Sequence, residues 1–76
     1  MASETKKDRL SIIGERIREL RLKAGYTSYE TFAVDNGLPR KNYWRIEKGQ
    51  NFTIETLLRI LDIHNISLED FFKGLP

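Results

Sequence analysis

Five side chains between positions 40 and 48 hold most of the chain's chemical potential. Arg40, Lys41, Trp44, Arg45 and Lys48 follow one another at steps of one, three and four, so on a helix they share a single arc. An arginine's forked donors match guanine O6 and N7, and a lysine also reaches guanine acceptors. The same cations neutralise phosphate oxygens. Tyr43, Ile46 and Glu47 fall on the other side, toward the body of the domain. The segment thus has one basic face with an embedded aromatic and one largely apolar face. On charge alone, a solvated surface explains four cations as well as a binding face does.

The distribution of charge sharpens the contrast. The chain of 76 residues has a formal net charge of only +2. Residues 36–51 carry Arg40, Lys41, Arg45 and Lys48 against Glu47 alone, a net of +3. Residues 52–76 carry Arg59 and Lys73 against Glu55, Asp62, Glu69 and Asp70, a net of −2. One short segment attracts a polyanion, and the C-terminal third repels it.

Other chemistries lack their parts. There is no cysteine and a single histidine, His64, so no set of nucleophile, base and orienting group can be assembled. His64 closes an apolar stripe near a helix end, where the helix dipole or the core edge accounts for it. Glu69 and Asp70 sit beside a capping serine and read as helix-start charge. No glycine-rich phosphate loop is present. The expectation is a non-enzyme with no cofactor, no metal and no evident small-molecule ligand. Cysteine-free composition fits a reducing compartment. No stretch is long and apolar enough to cross a bilayer, and the first nine residues have no apolar core for a signal peptide. A cytoplasmic location, at the nucleoid in a bacterium, is the corresponding expectation, with no membrane partner.

The elements that must position the basic face are short helices. Leu10, Ile13, Ile17, Leu20 and Ala24 recur with the period of one helical face, predicting a helix over 10–24 that ends at Gly25. Gly14 is a weak point within it. Residues 1–9 read as a flexible polar tail, leaving 10–76 as the domain. Thr27 and Ser28 both qualify as N-caps, and Thr27 with Glu30 forms a capping box. A second helix runs from there to about Asn36 and buries Phe32 and Ala33. Asn36-Gly37 is a turn, and Pro39 suits the start of a third helix ending near Lys48. Thr53 caps a fourth helix over 54–64, with Ile54, Leu57, Leu58 and Leu61 as its apolar stripe. Ser67 caps a last short helix in which Phe71 seals the core. Helical geometry cannot bury both phenylalanines, so Phe72 with Leu75 forms an exposed apolar patch and a candidate dimer contact. The consistent reading is an all-α, compact five-helix domain. Its second and third helices, joined by a glycine-containing turn, form a helix-turn-helix unit.

The chain resembles the Cro/C1-type, phage-repressor-like (XRE) helix-turn-helix DNA-binding domains over about residues 12–73. The matching text runs from Ile12 to Arg21 (IIGERIRELR), then Gly25, Glu30 to Ala33 and Gly37. It continues through Arg45-Ile46-Glu47-Lys48-Gly49, Thr56-Leu57-Leu58 and Ile66 to Phe71. The resemblance implies a lambda-repressor-like fold and a sequence-specific regulator of transcription, repressor-like, that binds double-stranded DNA as a homodimer. It implies base contacts from Arg40, Lys41 and Arg45, with Trp44 on the same face. It implies phosphate contacts from Ser28, Tyr29, Lys48, Gln50 and Asn51, and a structural ion pair between Arg21 and Glu47. The chain departs from the pattern at Tyr29, where the family has glutamine, at Pro39, where serine or threonine is common, and at Trp44, a position usually small or polar. The rival expectation is a protein-interaction adaptor or antitoxin-like module that uses the aromatic and C-terminal apolar surface.

Overall fold

A computed structural model describes residues 2–75, with side chains placed from Arg9 onward. It contains five helices: α1 (Ala2–Lys23), α2 (Tyr29–Asp35), α3 (Arg40–Glu47), α4 (Ile54–His64) and α5 (Leu68–Phe72). No strand occurs among the described residues, and no helix there is long and apolar enough to cross a membrane.

Three of the five helices, α2, α4 and α5, begin on a side-chain cap that their sequence supplies. Ser28 Oγ accepts from Thr31 N, Thr53 Oγ1 from Thr56 N, and Ser67 Oγ from Asp70 N, at 3.1–3.2 Å. Each satisfies one of the free amides of a first turn. The cap of α2 is therefore Ser28, one residue later than the Thr27–Glu30 box predicts. After α2, Gly37 N donates to Val34 O and Leu38 N to Ala33 O, the paired bonds of a Schellman motif. The motif needs a left-handed residue, and Gly37 supplies it at φ +68°. The same pairing closes α4 with Asn65 at φ +54°.

The core is drawn from every helix: Ile17 of α1, Phe32 and Ala33 of α2, Tyr43 and Ile46 of α3, Leu57, Ile60 and Leu61 of α4, and Phe71 of α5. Two expectations about packing fail. In α1 the buried line is Gly14, Ile17 and Arg21, while Leu10, Ile13 and Leu20 are only partly covered and Ala24 is exposed. A Cβ at Gly14 would collide with the backbone oxygens of Ile46 and Glu47, the latter at 2.8 Å. Gly14 is thus where α1 and α3 touch backbone to backbone, and not a weak point. In α4, Ile54 is 64 % and Leu58 41 % exposed, and Ile60 takes their place inside.

The N-terminus also differs from expectation. The tail read over residues 1–9 is helical from Ala2, so α1 spans 22 residues. Nothing in 2–13 breaks a helix: there is no proline or glycine, and lysine and glutamate propagate one readily. Apolar periodicity marks where a helix packs and is silent about where it starts.

Candidate nucleic-acid interface

Helix α3 packs against both α1 and α2. Its inner face is held by three kinds of contact. Tyr43 and Ile46 are buried in the core. The backbone of Ile46 and Glu47 lies against Gly14. Glu47 receives two hydrogen bonds from Arg21, Nε to Oε2 at 2.7 Å and Nη2 to Oε1 at 3.1 Å. A third guanidinium bond runs from Arg21 Nη1 to the carbonyl of Tyr26 at 2.9 Å. Only 5 % of Arg21 is exposed, and its charge is paired, with each of the three guanidinium nitrogens making one hydrogen bond. The bond to Glu47 pushes the arginine pKa above its already high value. A bidentate pair in this setting fixes the rotation of α3 about its axis more than it adds stability.

With the inner face fixed, the outer face follows. Arg40, Lys41, Arg45 and Lys48 are all exposed, and none makes an ion pair among the described residues. Arg45 has no acidic neighbour diverting it. Pro39 gives α3 no side-chain cap, so the open amides of its first turn add partial positive charge beside Arg40 and Lys41.

Trp44 remains 39 % exposed. Lys48 Nζ sits over the indole, 5.8 Å from its centroid. Tyr29, at the start of α2, meets Trp44, Lys41 and Arg45 around an open cleft. Tyr29 itself is half-buried and packs against the core.

The remaining predicted positions flank this face. Ser28 is engaged as the cap of α2. Gln50 and Asn51 are exposed on the loop after α3, where Asn51 Oδ1 accepts from Phe52 N at 2.9 Å. They border a groove shared with Arg45 and Thr56. Phe72 and Leu75 are far from these in kind: they line a groove with Arg9, Ile12 and Ile13 of α1, and of the two only Phe72 is exposed as expected, since Leu75 packs partly against the core.

Two residues that sequence reasoning passed over belong to the same surface. Asn42 lines both grooves between α3 and α4. Its place beside Arg45 on the helical wheel was available in the sequence. Arg59 of α4 donates from Nη2 to the carbonyl of Gly37 at 2.8 Å and so ties α4 to the turn between α2 and α3. Its partner is a backbone oxygen, which no residue pattern reveals.

Below the face lie two buried polar atoms, Tyr43 Oη and His64 Nε2, with no hydrogen-bond partner among the described residues. Burial, then the Glu47 carboxylate, push the Tyr43 phenol well above its usual pKa, so it stays protonated. His64 stacks on Phe32 with centroids 5.2 Å apart and planes within 6°. Burial lowers its pKa and keeps the imidazole neutral.

No family model, curated protein or solved structure matches this chain.

Proposed function

We propose that this protein is a sequence-specific, double-stranded-DNA-binding regulator of transcription, repressor-like, with α3 in the major groove. The observation that carries the reading is the anchoring of α3. Gly14, Tyr43, Ile46 and the Arg21–Glu47 pair hold one side, and four unpaired cations project from the other. A major groove about 12 Å wide admits a helix of this kind. Arg40, Lys41 and Arg45 then face base edges, with Trp44 beside them. Lys48, Gln50 and Asn51 on one side, and Ser28 and Tyr29 on the other, lie where backbone phosphates pass.

One short helix spans few base pairs, so the reading includes a homodimer on a two-fold site. Half-sites about 34 Å apart centre to center accommodate two bodies of this size. Each measures 38 × 25 × 22 Å. Phe72 and Leu75 are the candidate contact between copies.

The test is charge reversal. Arg40→Glu with Lys41→Glu lowers duplex affinity roughly 100-fold or more without lowering the melting temperature, because both side chains are exposed and carboxylates suit the open amides of a helix start. Binding of the native chain weakens steeply between low and moderate salt. Affinity indifferent to salt sinks the proposal.

A second reading is favoured by one observation. Ile54, Leu58, Leu68 and Phe72 are all exposed apolar side chains on α4 and α5. An adaptor or antitoxin-like module would dock a protein partner there. In that case partner binding survives the charge reversal and is lost in Phe72→Glu.

A further inference from the structure

The indole of Trp44 is an apolar surface set among cations. Lys41 precedes it by one turn, Lys48 follows it by one turn, and Arg45 is next in the chain. Lys48 covers part of the ring at 5.8 Å. Tyr29 supplies the opposing aromatic wall of the cleft that Trp44 shares with Lys41 and Arg45. The side chain is thus held at the surface and is not folded away into the core.

The major-groove edges of the four base pairs present donors, acceptors and a single apolar group, the 5-methyl of thymine. Indole has one N–H donor and no acceptor, so most of its surface can satisfy nothing polar. The flanking cations already match phosphates and guanine edges. Resting on the duplex reading above, we infer that the Trp44–Tyr29 cleft seats the 5-methyl group of a thymine and makes Trp44 a specificity-determining residue. A methyl group enters the open cleft beside the Lys48 ammonium without displacing it. A flat, stacked base competes with that ammonium for the ring, which disfavours a single-strand stacking platform.

The experiment uses the full chain and a duplex it selects from a random pool. Each thymidine is replaced in turn by 2′-deoxyuridine, which removes the methyl and nothing else. Affinity is read by anisotropy of the labelled duplex. At one position per half-site the replacement weakens binding roughly four-fold, the worth of one buried methyl, and elsewhere it has little effect. Trp44→Ala loses that discrimination and binds both duplexes alike. Tyr29→Ala, which opens the other wall, reduces it. The fluorescence of the single tryptophan changes on binding the thymine duplex more than on binding the deoxyuridine one.

Deoxyuridine that is neutral at every position overturns the inference while leaving the duplex reading intact. So does a penalty that persists in Trp44→Ala. Tighter binding to the single strand than to the duplex overturns it in favour of stacking. Absence of salt-dependent duplex binding removes the reading itself and the inference with it.

Discussion

Helices α3 and α5 are both short, and each has one buried side and one exposed side, yet they turn opposite chemistries outward. α3 exposes four cations around an indole, and its buried side is secured by a bidentate ion pair and a backbone contact at Gly14. α5 buries Phe71 and leaves Leu68 and Phe72 in solvent, with Glu69 and Asp70 in its first turn. It is seated in the core through the buried Phe71, whose ring Phe72 meets edge-on within the same helix at 5.0 Å. The difference shows what each surface demands. A charged face that is to read a duplex, as proposed for α3, must not rotate, because a small turn of the helix re-aims every long side chain. Directional bonds resist rotation where apolar contacts only resist separation. An apolar face needs no fixed aim and tolerates a looser seat.

Breaking the anchor of α3 has the largest expected effect. Arg21→Met leaves Glu47 buried without its partner and costs about 3–5 kcal/mol, measured by urea unfolding. Adding Glu47→Leu recovers most of that stability, but under the proposed duplex reading DNA affinity stays low because the directional lock is gone. Full recovery of both would show that the pair does not orient α3. Gly14→Ala comes next. Helix propensity alone favours it by about 1 kcal/mol, but the new methyl meets fixed backbone oxygens. The clash wins, with a net loss of about 2 kcal/mol.

The pH dependence tests the layer beneath. His64 has a lowered folded pKa, so the folded state resists its protonation. Its contribution is intact above the unfolded value of about 6.5 and is lost as pH falls from there through the lowered folded value. The melting temperature therefore drops between pH 8 and pH 5, and His64→Phe, which keeps the stack on Phe32, removes that part of the drop. The smallest effect on stability is expected at α5. Phe72→Glu costs less than about 1 kcal/mol because the side chain is 41 % exposed. It nonetheless abolishes self-association in sedimentation experiments if this patch joins two copies. A strictly monomeric native chain at high concentration would detach Phe72 and Leu75 from the dimer.

Much of this contrast was legible in the residue order. The caps at Ser67 and Thr53, the turn at Gly37, the span of α4 and the separation of Phe71 from Phe72 all follow from local chemistry that acts within a few residues. The α1 packing face was misread because two of its three buried residues are Gly14 and Arg21, which hydrophobic counting ignores. Thr27 and Ser28 both qualify as the cap of α2 by their chemistry, and only the path of the chain chooses Ser28. The role of Arg59 was invisible, since its partner is a carbonyl 22 positions away.

Sequence alone therefore determined the five helices, the positive segment at 36–51 and the arc shared by Arg40, Lys41, Trp44, Arg45 and Lys48. These depend on propensity, capping and a fixed helical period. Tertiary structure decided how closely α1 approaches α3 and that Trp44 stays at the surface beside Tyr29. Those outcomes depend on contacts between residues distant in the chain, where space left by a missing side chain counts as much as the side chains present.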